Sequence, residues 1–443
     1  MKRRRIALEK NPSPSFDLRV RRKSIPSEKG TEWLSLLGNG KTVVRHVRLS
    51  GGPIRITRTE LPRRLRKNAD QEVLSAMADL AYLKRKNGDR TAGGRRASVR
   101  VADLFSSCGF MSLGVSEACR SLGKRFRSVL AVECNEAALN VYKKNFSPEK
   151  AKYMDIRKGL SGELGTKRKP KERDFLRGVG RIDLLLGGPP CQGHSDLNNY
   201  TRRSDPKNGL YKRMARFADL VRPKHIIIEN VPAVVHDSSK VVQRTLNRLK
   251  KLGYHVDSGL VEISRLGVPQ KRRRHIVIAS LTKKLRLAEV VSRHTKKSRT
   301  VGWALEDLLD QESDSLFDTA SIPTPVTERR IDHLFDRRLY NLPNWMRPEC
   351  HRSGRHSYTS VYGRLGWNGP AQTITTGFNT MGQGRFVHPR RRRTLTPHEA
   401  ARLQFIPDFF SFDGIDARTQ FAEMIGNAVP PKLTYVLALE LLR

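Results

Sequence analysis

Between residues 98 and 280 the chain alternates short apolar runs with stretches that have the periodicity of amphipathic helices. The apolar runs are 99–105, 128–133, 182–187, 225–230 and 275–280, and the helical stretches are 113–122, 136–145, 211–221 and 240–252. Strands that lack a polar face must be covered on both sides. The alternation therefore predicts an α/β fold with a doubly wound, mostly parallel, Rossmann-like sheet. Ligands of such sheets bind outside the carboxyl ends of the strands.

The segments before and after this region differ from it in composition and in the pattern of apolar residues. Residues 1–98 carry basic clusters separated by Pro and Gly, with possible strands in 33–57 and a helical pattern in 71–86. Residues 281–365 have few long apolar runs, whereas the last segment, 431–443, is predicted to be an apolar helix that returns to the sheet. We predict a partly ordered basic extension (1–98), an α/β domain (99–280, completed by 420–443) and a smaller loop-rich domain with a hinge (281–419).

The charge of the chain points to a polyanionic partner. Lys and Arg number 85 against 43 acidic residues, a formal net charge of +42. A surface of this kind attracts nucleic acid, because each neutralised phosphate releases a condensed counterion. No apolar run approaches the ~18–20 residues of a membrane-spanning helix, and the basic N-terminus does not lead into a secretory signal. We expect a cytoplasmic monomer, associated with the nucleoid if the source is bacterial, and no membrane contact.

The five cysteines lie far apart in the sequence, at positions 108, 119, 134, 191 and 350. Their odd number and the lack of paired ligand spacing argue against a disulfide framework and against a bound metal. Cys191 is distinct, because it stands in Gly187-Gly-Pro-Pro-Cys-Gln directly after an apolar run. Glycine and proline fix an unusual backbone at the sheet edge, and a loop rich in amides and basic groups lowers a thiol pKa. We predict that Cys191 is a nucleophile.

Further polar residues follow other predicted strands. Glu229 closes the run at 225–230, so its carboxylate is expected beside Cys191. Gln270, Arg272 and Arg274 alternate before the last strand and should share one face, since side chains alternate along extended chain. Arginine forks on that face suit a base and its phosphate.

The first two predicted strands carry a pattern typical of nucleotide binding. Asp103-Leu-Phe-Ser-Ser-Cys-Gly joins the first strand to the first helix, where backbone amides can approach a ligand. Glu133 ends the second strand, and an acidic residue there can bind the hydroxyls of a ribose.

Taken in order, these motifs resemble the cytosine-C5 DNA methyltransferase family. The resemblance rests on Asp103-Leu-Phe with Gly109, Glu133, Asp155-Ile, Gly188-Pro-Pro-Cys-Gln, Glu229-Asn-Val, Gln270-Lys-Arg-Arg-Arg, Arg393-Thr-Leu-Thr-Pro-His-Glu-Ala-Ala-Arg-Leu-Gln and Gly426-Asn-Ala-Val-Pro-Pro. It covers about residues 99–280 and 366–443.

The resemblance implies a transfer of methyl from S-adenosylmethionine to C5 of a flipped-out cytosine in a short sequence of double-stranded DNA. It makes 99–280 the catalytic and cofactor-binding domain and 281–419 the target-recognition domain with its hinge. The implied catalytic residues are Cys191, Glu229, Arg272 and Arg274. The implied cofactor-binding residues are Asp103, Phe105, Gly109, Glu133, Asp155, Pro189, Asn427 and Val429. The implied DNA-binding residues are Gln192, Ser195, Gln270, Arg272, Arg355 and Arg393. A companion restriction endonuclease is possible.

The chain departs from the family pattern in the first loop, where Ser107 and Phe110 stand in place of the usual glycines. These departures keep open a second interpretation, a catalytically weak relative that binds DNA as a regulator. RNA cytosine methylation is a third interpretation, although the Cys-Phe-Thr motif of the tRNA-methylating branch is missing. The basic N-terminal extension is compatible with a further sequence-reading or partner-binding module.

Overall fold

A computed structural model describes residues 31–88, 97–190, 206–352 and 361–443 of the chain. The described strands are β1 (Glu32–Leu36), β2 (Thr42–Arg48), β3 (Ile54–Glu60), β4 (Ser98–Leu104), β5 (Arg125–Glu133), β6 (Lys150–Tyr153), β7 (Leu184–Gly187), β8 (His225–Asn230), β9 (His255–Glu262) and β10 (Arg273–Ser280). The first three form an antiparallel sheet, and the other seven form the main sheet.

The main sheet has the strand order β6-β5-β4-β7-β8-β10-β9. Strands β4 to β8 run parallel, whereas β10 is antiparallel to both of its neighbours. The chain leaves the centre of the sheet in opposite directions from β4 and β7, so their carboxyl ends form a topological switch point. This arrangement confirms the predicted doubly wound, mostly parallel fold.

Helices cover both faces of the main sheet. Up to residue 280 they are α1 (Gln71–Leu83), α2 (Phe110–Ser121), α3 (Glu136–Phe146), α4 (Ile156–Gly159), α5 (Pro170–Phe175), α6 (Lys212–Val221) and α7 (Val241–Lys251). The later helices are α8 (Leu287–Arg293), α9 (Val301–Leu305), α10 (Pro325–Asp336), α11 (Glu349–Arg352), α12 (Pro397–Leu403), α13 (Arg418–Gly426) and α14 (Pro431–Leu442). Among the described residues, no helix is long and apolar enough to cross a membrane.

The last helix, α14, packs along α2 on one face of the sheet. The two backbones come so close at Gly114 that an added Cβ would lie 2.1 Å from the Pro431 carbonyl oxygen. The Thr434 hydroxyl donates to the Met111 carbonyl at 3.0 Å across the same contact. This crossing places the Val429–Pro431 segment beside the first turn of α2.

Residues 31–88 form an ordered unit that packs on the same layer of helices. The Lys432 ammonium donates to the buried Asp79 carboxylate at 2.6 Å, which ties α1 to α14. At the end of α1 the Leu83 carbonyl accepts from the Asp408 amide at 2.8 Å. Val47 and Leu83 are fully buried in the core that α2 and α14 share. This part of the N-terminal extension is therefore integrated into the fold.

Candidate active site

Four of the predicted site residues, Cys191, Gln192, Ser195 and Arg355, lie outside the described residues. The backbone that leads to Cys191 is described as far as Pro190. Gly187 ends β7 in a tight space, since an added Cβ would lie 2.3 Å from the Met214 sulfur. A Cβ on Gly188 would meet the Glu229 Oε2 atom at 3.4 Å. The Gly-Gly-Pro-Pro segment thus passes directly over the end of β8.

Asn230 anchors this segment, a role that the sequence did not indicate. Its side-chain amide donates to the Pro189 carbonyl at 3.1 Å, and both residues are buried. Its own Oδ1 accepts from the Val231 amide at 2.9 Å. Asparagine supplies a donor and an acceptor at once, so one side chain fixes the turn after β8 and the backbone two residues before Cys191.

Glu229 is a buried carboxylate held by one arginine. It is 8% exposed at the end of β8, and the Arg274 guanidinium lies 2.7 Å from Oε1. Burial raises the pKa of Glu229 above its ordinary value, and the positive charges of Arg274 and Arg272 oppose that rise. A carboxyl group in such a place can hold a proton at a pH where an exposed one is ionised.

Gln270 and Arg272 precede Arg274, but their side chains are enclosed in protein. Gln270 is fully buried; its amide donates to the Gln404 side chain at 2.6 Å, and its oxygen accepts from the Ile374 amide at 3.0 Å. Arg272 is 2% exposed and donates to the Ile374 carbonyl at 2.8 Å. The structure thus gives both side chains contacts to the segment around Ile374, and base contact by either would require that segment to move.

The first loop and the end of β5 form a second polar cluster at the same edge of the sheet. Glu133 accepts three backbone amides: those of Cys134 (2.7 Å) and Asn135 (2.9 Å) at Oε1, and that of Ser107 (2.8 Å) at Oε2. A carboxylate has about four acceptor positions. The half-buried Glu133 side chain therefore keeps acceptor capacity for a hydroxyl donor.

The backbone of the first loop has a positive φ angle at three positions, two of which are not glycine. Phe105, Ser107 and Gly109 all have positive φ angles, of 60°, 46° and 100°. At Gly109 an added Cβ would also lie 2.4 Å from the Phe146 ring, so glycine is required there. Phe110, in contrast, is buried and packs against Phe410 with ring centroids 5.0 Å apart. Its bulk therefore lies within an aromatic core.

Asp103 is enclosed beneath this loop. It is 1% exposed, and its Oδ2 accepts from the Ser112 hydroxyl at 2.6 Å, which joins β4 to α2. Burial raises the pKa of Asp103 to about 7. These contacts position the loop, and a direct contact of Asp103 with cofactor stays a prediction.

Asp155 lies beside Glu133 across two paired strands, since the Met154 amide donates to the Glu133 carbonyl at 2.9 Å. Its Oδ1 accepts from the Arg157 amide at 2.8 Å, and the Arg157 side chain binds Oδ2 at 2.5 Å. Arg157 is half exposed and can turn away to release one carboxylate oxygen.

The remaining predicted residues have mixed surroundings. Val429 is buried in the same hydrophobic cluster as Met111 and Leu433, whereas Asn427 is exposed after the end of α13. Arg393 forms a two-pronged ion pair with Glu399, at 2.8 and 2.7 Å. Its guanidinium therefore holds the N-terminus of α12, and a DNA contact by Arg393 stays a prediction.

The residues at the β5 end fit the ribose of an adenosyl cofactor. The observation that supports the fit is the pair of carboxylates on adjacent strands, one of which retains acceptor capacity beside the positive-φ loop. An open groove of about 1040 Å³ lies next to the end of β5, and its lining includes Cys134, Asn135, Tyr153 and Glu423. The lining of this groove begins at Cys134, the residue after Glu133, and does not include Glu229. Among the described residues, no group of acidic, Cys and His side chains is arranged to hold a metal ion.

The fold and the site together define a Rossmann-like methyltransferase. The sheet is doubly wound, the loop after β4 has positive φ angles, β5 ends in an acidic residue, and a buried Glu lies beside the Gly-Gly-Pro-Pro segment. The profile of the C-5 cytosine-specific DNA methylase family matches residues 99–443. The chain belongs to this family, and its enzyme class is DNA (cytosine-5-)-methyltransferase.

Individual relatives agree with that assignment. The chain is 48% identical over 370 residues to "Type II methyltransferase M1.BsuMI" of Bacillus subtilis, a match covering 84% of this chain and 86% of the relative. It is 34% identical over 269 residues to "Type II methylase M.HgiDII" of Herpetosiphon aurantiacus, covering 58% and 74%.

Solved structures share the fold. A prophage-encoded E. coli protein described as a DNA modification methyltransferase aligns with a TM-score of 0.53 and 25% identity, over 77% of this chain and 97% of that one. The S. pombe Dnmt2 methyltransferase aligns with a TM-score of 0.52 and 17% identity, over 77% and 98%, which supports the fold alone.

Proposed function

We propose that the chain methylates C5 of a flipped-out cytosine in one short sequence of double-stranded DNA, with S-adenosylmethionine as donor and Cys191 as covalent nucleophile. The observation that carries the proposal is the buried carboxyl of Glu229. It lies against the Gly188–Pro189 backbone, two to three residues before Cys191, with its pKa raised by burial.

The chemistry follows from the reactivity of cytosine. The Cys191 thiolate attacks C6 while Glu229 gives its proton to N3, so the ring becomes an enamine that is nucleophilic at C5. The bound cofactor supplies the methyl group. A base then removes the proton from C5, the bond between sulfur and C6 breaks, and the ring returns its proton from N3. Neither face of a stacked base is open to attack, so the cytosine must be flipped at a cost of about a few kcal/mol.

Neighbouring residues position these groups. Arg274 holds the Glu229 carboxyl, and Asn230 holds the Pro189 carbonyl. Gln270 and Arg272 fix the segment around Ile374 against the same edge. Gln192 and Ser195 are proposed to close over the flipped base, as the family resemblance implies.

The same proposal assigns the cofactor site. Phe105 would pack on the adenine, Glu133 would bind the ribose and Asp155 would face the adenine amine. Gly109 and Asp103 would shape the first loop. Pro189, Asn427 and Val429 would close the pocket from the other side.

We further propose which regions of the chain carry catalysis and which carry target recognition. Residues 99–280 with 420–443 form the catalytic domain, and 281–419 form the target-recognition domain and hinge, with Arg355 and Arg393 as candidate DNA contacts. The enzyme would work as a cytoplasmic monomer on DNA. The names of its bacterial relatives make it a candidate partner of a restriction endonuclease.

Base-resolution conversion sequencing of plasmid DNA tests the proposal. The chain and its Cys191→Ala variant are expressed in a host that lacks cytosine methylation. Protected cytosines in one short recurring context, absent with the variant, are expected. Folded protein that binds DNA but protects no cytosine would contradict the proposed function. Labelled methyl transfer to an RNA pool serves as the control for the RNA alternative.

A further inference from the structure

Four consecutive arginines, Arg390 to Arg393, precede α12, and the structure divides them into two pairs. Arg393 is neutralised by Glu399. Arg392 is neutralised by Asp332 at 2.9 Å and Asp336 at 2.5 Å, both on α10. The charge of these two arginines therefore serves contacts within the protein.

Arg390 and Arg391 have a different environment. Both are exposed, and within the described part of the chain neither forms an ion pair with a carboxylate. The Arg390 guanidinium lies over the Trp367 ring, 3.9 Å from the centroid. Stacking on an aromatic ring orders the guanidinium and leaves its N–H groups at the rim free to donate in the plane of the fork.

A buried histidine holds the backbone of this turn. The Nδ1 atom of His388 accepts from the amides of Arg390 at 3.0 Å and Arg391 at 2.9 Å, and His388 is fully buried. Burial lowers the pKa of His388 to about 4, so its ring is neutral near pH 7 and Nδ1 keeps its lone pair. The turn is closed by the His388 amide, which donates to the Arg393 carbonyl at 2.8 Å. The two cations therefore project from a backbone that is fixed in advance.

The position of the turn relates it to the catalytic edge. Val387 bridges both Arg364 and Thr394, so the turn lies alongside the strip of chain that begins at residue 363. Trp367, under Arg390, belongs to that strip. A few residues later the strip reaches the catalytic domain, where Ala371 bridges Gln270. The turn thus packs against the segment that leads from residue 363 to Ala371, which connects the smaller domain to the sheet edge that carries Glu229.

We propose that the turn 388–391 is a binding site for backbone phosphates of duplex DNA, with Arg390 and Arg391 as the contacting residues. The inference rests on the proposed DNA substrate and adds a site to it. Arginine forks match phosphate oxygens, and a preorganised pair of cations loses little entropy on binding. Phosphate contacts position a duplex without reading its sequence, so the turn should contribute affinity and leave the target sequence unchanged.

Salt dependence of DNA binding tests the proposal. Equilibrium binding of a target duplex is measured between about 50 and 200 mM salt, a range across which phosphate contacts make affinity fall steeply, for R390A/R391A in a Cys191→Ala background. Each lost phosphate contact should make the slope of log K against log salt shallower by about 0.9, hence by about 1.8 for two contacts. The matched control is K171A/R173A, which removes two exposed cations from α5 on the catalytic domain.

The expected result is a shallower slope for R390A/R391A alone, partial recovery of affinity with R390K/R391K, and an unchanged target sequence. Equal slope changes in the α5 control would overturn the site in favour of a diffuse charge effect. An unchanged slope would overturn it directly, and an altered target sequence would assign the turn to base reading. The His388→Ala variant adds a second arm, since it keeps both cations but frees the turn, and weaker binding is expected.

Conversion sequencing of R390A/R391A keeps this inference separate from the proposed function. If the wild-type chain protects no cytosine, the proposed function fails whatever the slope. If it protects one context and the variant protects the same context with an unchanged salt slope, only the phosphate site fails.

Discussion

Glu133 and Glu229 lie at the ends of two strands, one in each half of the main sheet, and their surroundings suit them to different chemical roles. Glu133, the last residue of β5, is half-buried and held by three backbone amides. Glu229, near the end of β8, is buried and held by the side chain of Arg274. The three amides use the Glu133 carboxylate as a hydrogen-bond acceptor, whereas burial raises the pKa of Glu229 and so favours its neutral form. The first site is thus built to accept hydrogen bonds and the second to hold a proton.

The comparison shows why position alone does not define a role. Both residues stand at the carboxyl end of a parallel strand, where ligands of doubly wound sheets bind. Their neighbours decide the difference: the left-handed loop at Ser107 presents an amide to Glu133, and the antiparallel strand β10 brings Arg274 to Glu229. Substitutions at each end can test this contrast between a hydrogen-bond acceptor and a proton carrier.

The largest effect is expected from Glu229→Gln. The amide has the same shape but cannot transfer a proton to the cytosine ring, so kcat should fall by about 10²–10⁴. The apparent affinity for S-adenosylmethionine should stay close to wild type, because Glu229 lies outside the cofactor cluster. Single-turnover methylation and cofactor binding by calorimetry measure the two quantities.

Glu133→Gln is the matched variant for that experiment. A kcat loss of similar size in both variants would remove the distinction between the two ends of the sheet. Wild-type turnover in Glu229→Gln would show that the carboxyl carries no proton in the reaction.

Glu133→Gln itself is expected to act on cofactor binding. In the wild type both carboxylate oxygens accept backbone N–H groups. In the variant the NH₂ group of the glutamine takes the place of one oxygen and faces an N–H donor, and the lost hydrogen bond costs about 1–3 kcal/mol. The KM for S-adenosylmethionine should therefore rise by about tenfold or more, since about 1.4 kcal/mol is a factor of ten, with little change in kcat at saturating cofactor. Glu136→Gln, one turn further on the exposed start of α3, is the control. An unchanged KM would contradict the ribose assignment.

Arg274→Gln sharpens the contrast through pH. The Arg274 charge lowers the pKa of Glu229 against the upward effect of burial, so its removal should raise that pKa further. The protonated form is the active one in the proposed mechanism. The alkaline limb of the kcat profile should therefore move to higher pH, in addition to a loss of rate at every pH. The exposed neighbour Arg273 gives the control variant Arg273→Gln. If the ionised form were active, the acid limb of the profile would move to higher pH in Arg274→Gln and the alkaline limb would stay in place.

The sequence was sufficient to predict the sheet because its central strands have no polar face. Strands such as Leu184–Gly187 and His225–Asn230 are buried throughout, and short apolar runs between turn residues are typical of strands covered on both faces. The edge strands were missed. Lys150–Tyr153 is short and half polar, and His255–Glu262 is mostly half-buried, so neither has the apolar run that marks a central strand.

The positions of Glu133 and Glu229 at the carboxyl ends of strands could be predicted from the sequence, whereas contacts made by distant parts of the chain could not. Gln270 and Arg272 belong to a polar, basic segment of the kind that is usually exposed. The segment around Ile374, about one hundred positions later, nevertheless encloses their side chains. Arg393 is paired with Glu399 through the cap of α12. Such long-range enclosure leaves no periodic signal in the sequence, and the same holds for the amide contact from Asn230 to Pro189.

The smallest effect is expected from Ser107→Gly, which tests whether the Glu133 end depends on backbone alone. Ser107 has a φ of 46°, a conformation that glycine adopts freely, and it contributes its amide to Glu133. Glycine removes the strain but also gains freedom in the unfolded chain, so the free energy of unfolding should change by less than about 1 kcal/mol. Cofactor affinity should stay within about twofold, well under the factor of ten that about 1.4 kcal/mol represents, because the amide remains.

Two further substitutions at the same position separate the possible contributions. Ser107→Ala keeps the Cβ and the amide but loses the hydroxyl, and it should behave like wild type in calorimetric titration with S-adenosylmethionine. Ser107→Pro removes the amide and forces φ to about −65°, so it should weaken cofactor binding to the extent of Glu133→Gln or more. A tenfold loss in both Ser107→Gly and Ser107→Ala would show that the hydroxyl itself binds cofactor, and the Glu133 end would then rely on a side chain just as the Glu229 end relies on Arg274.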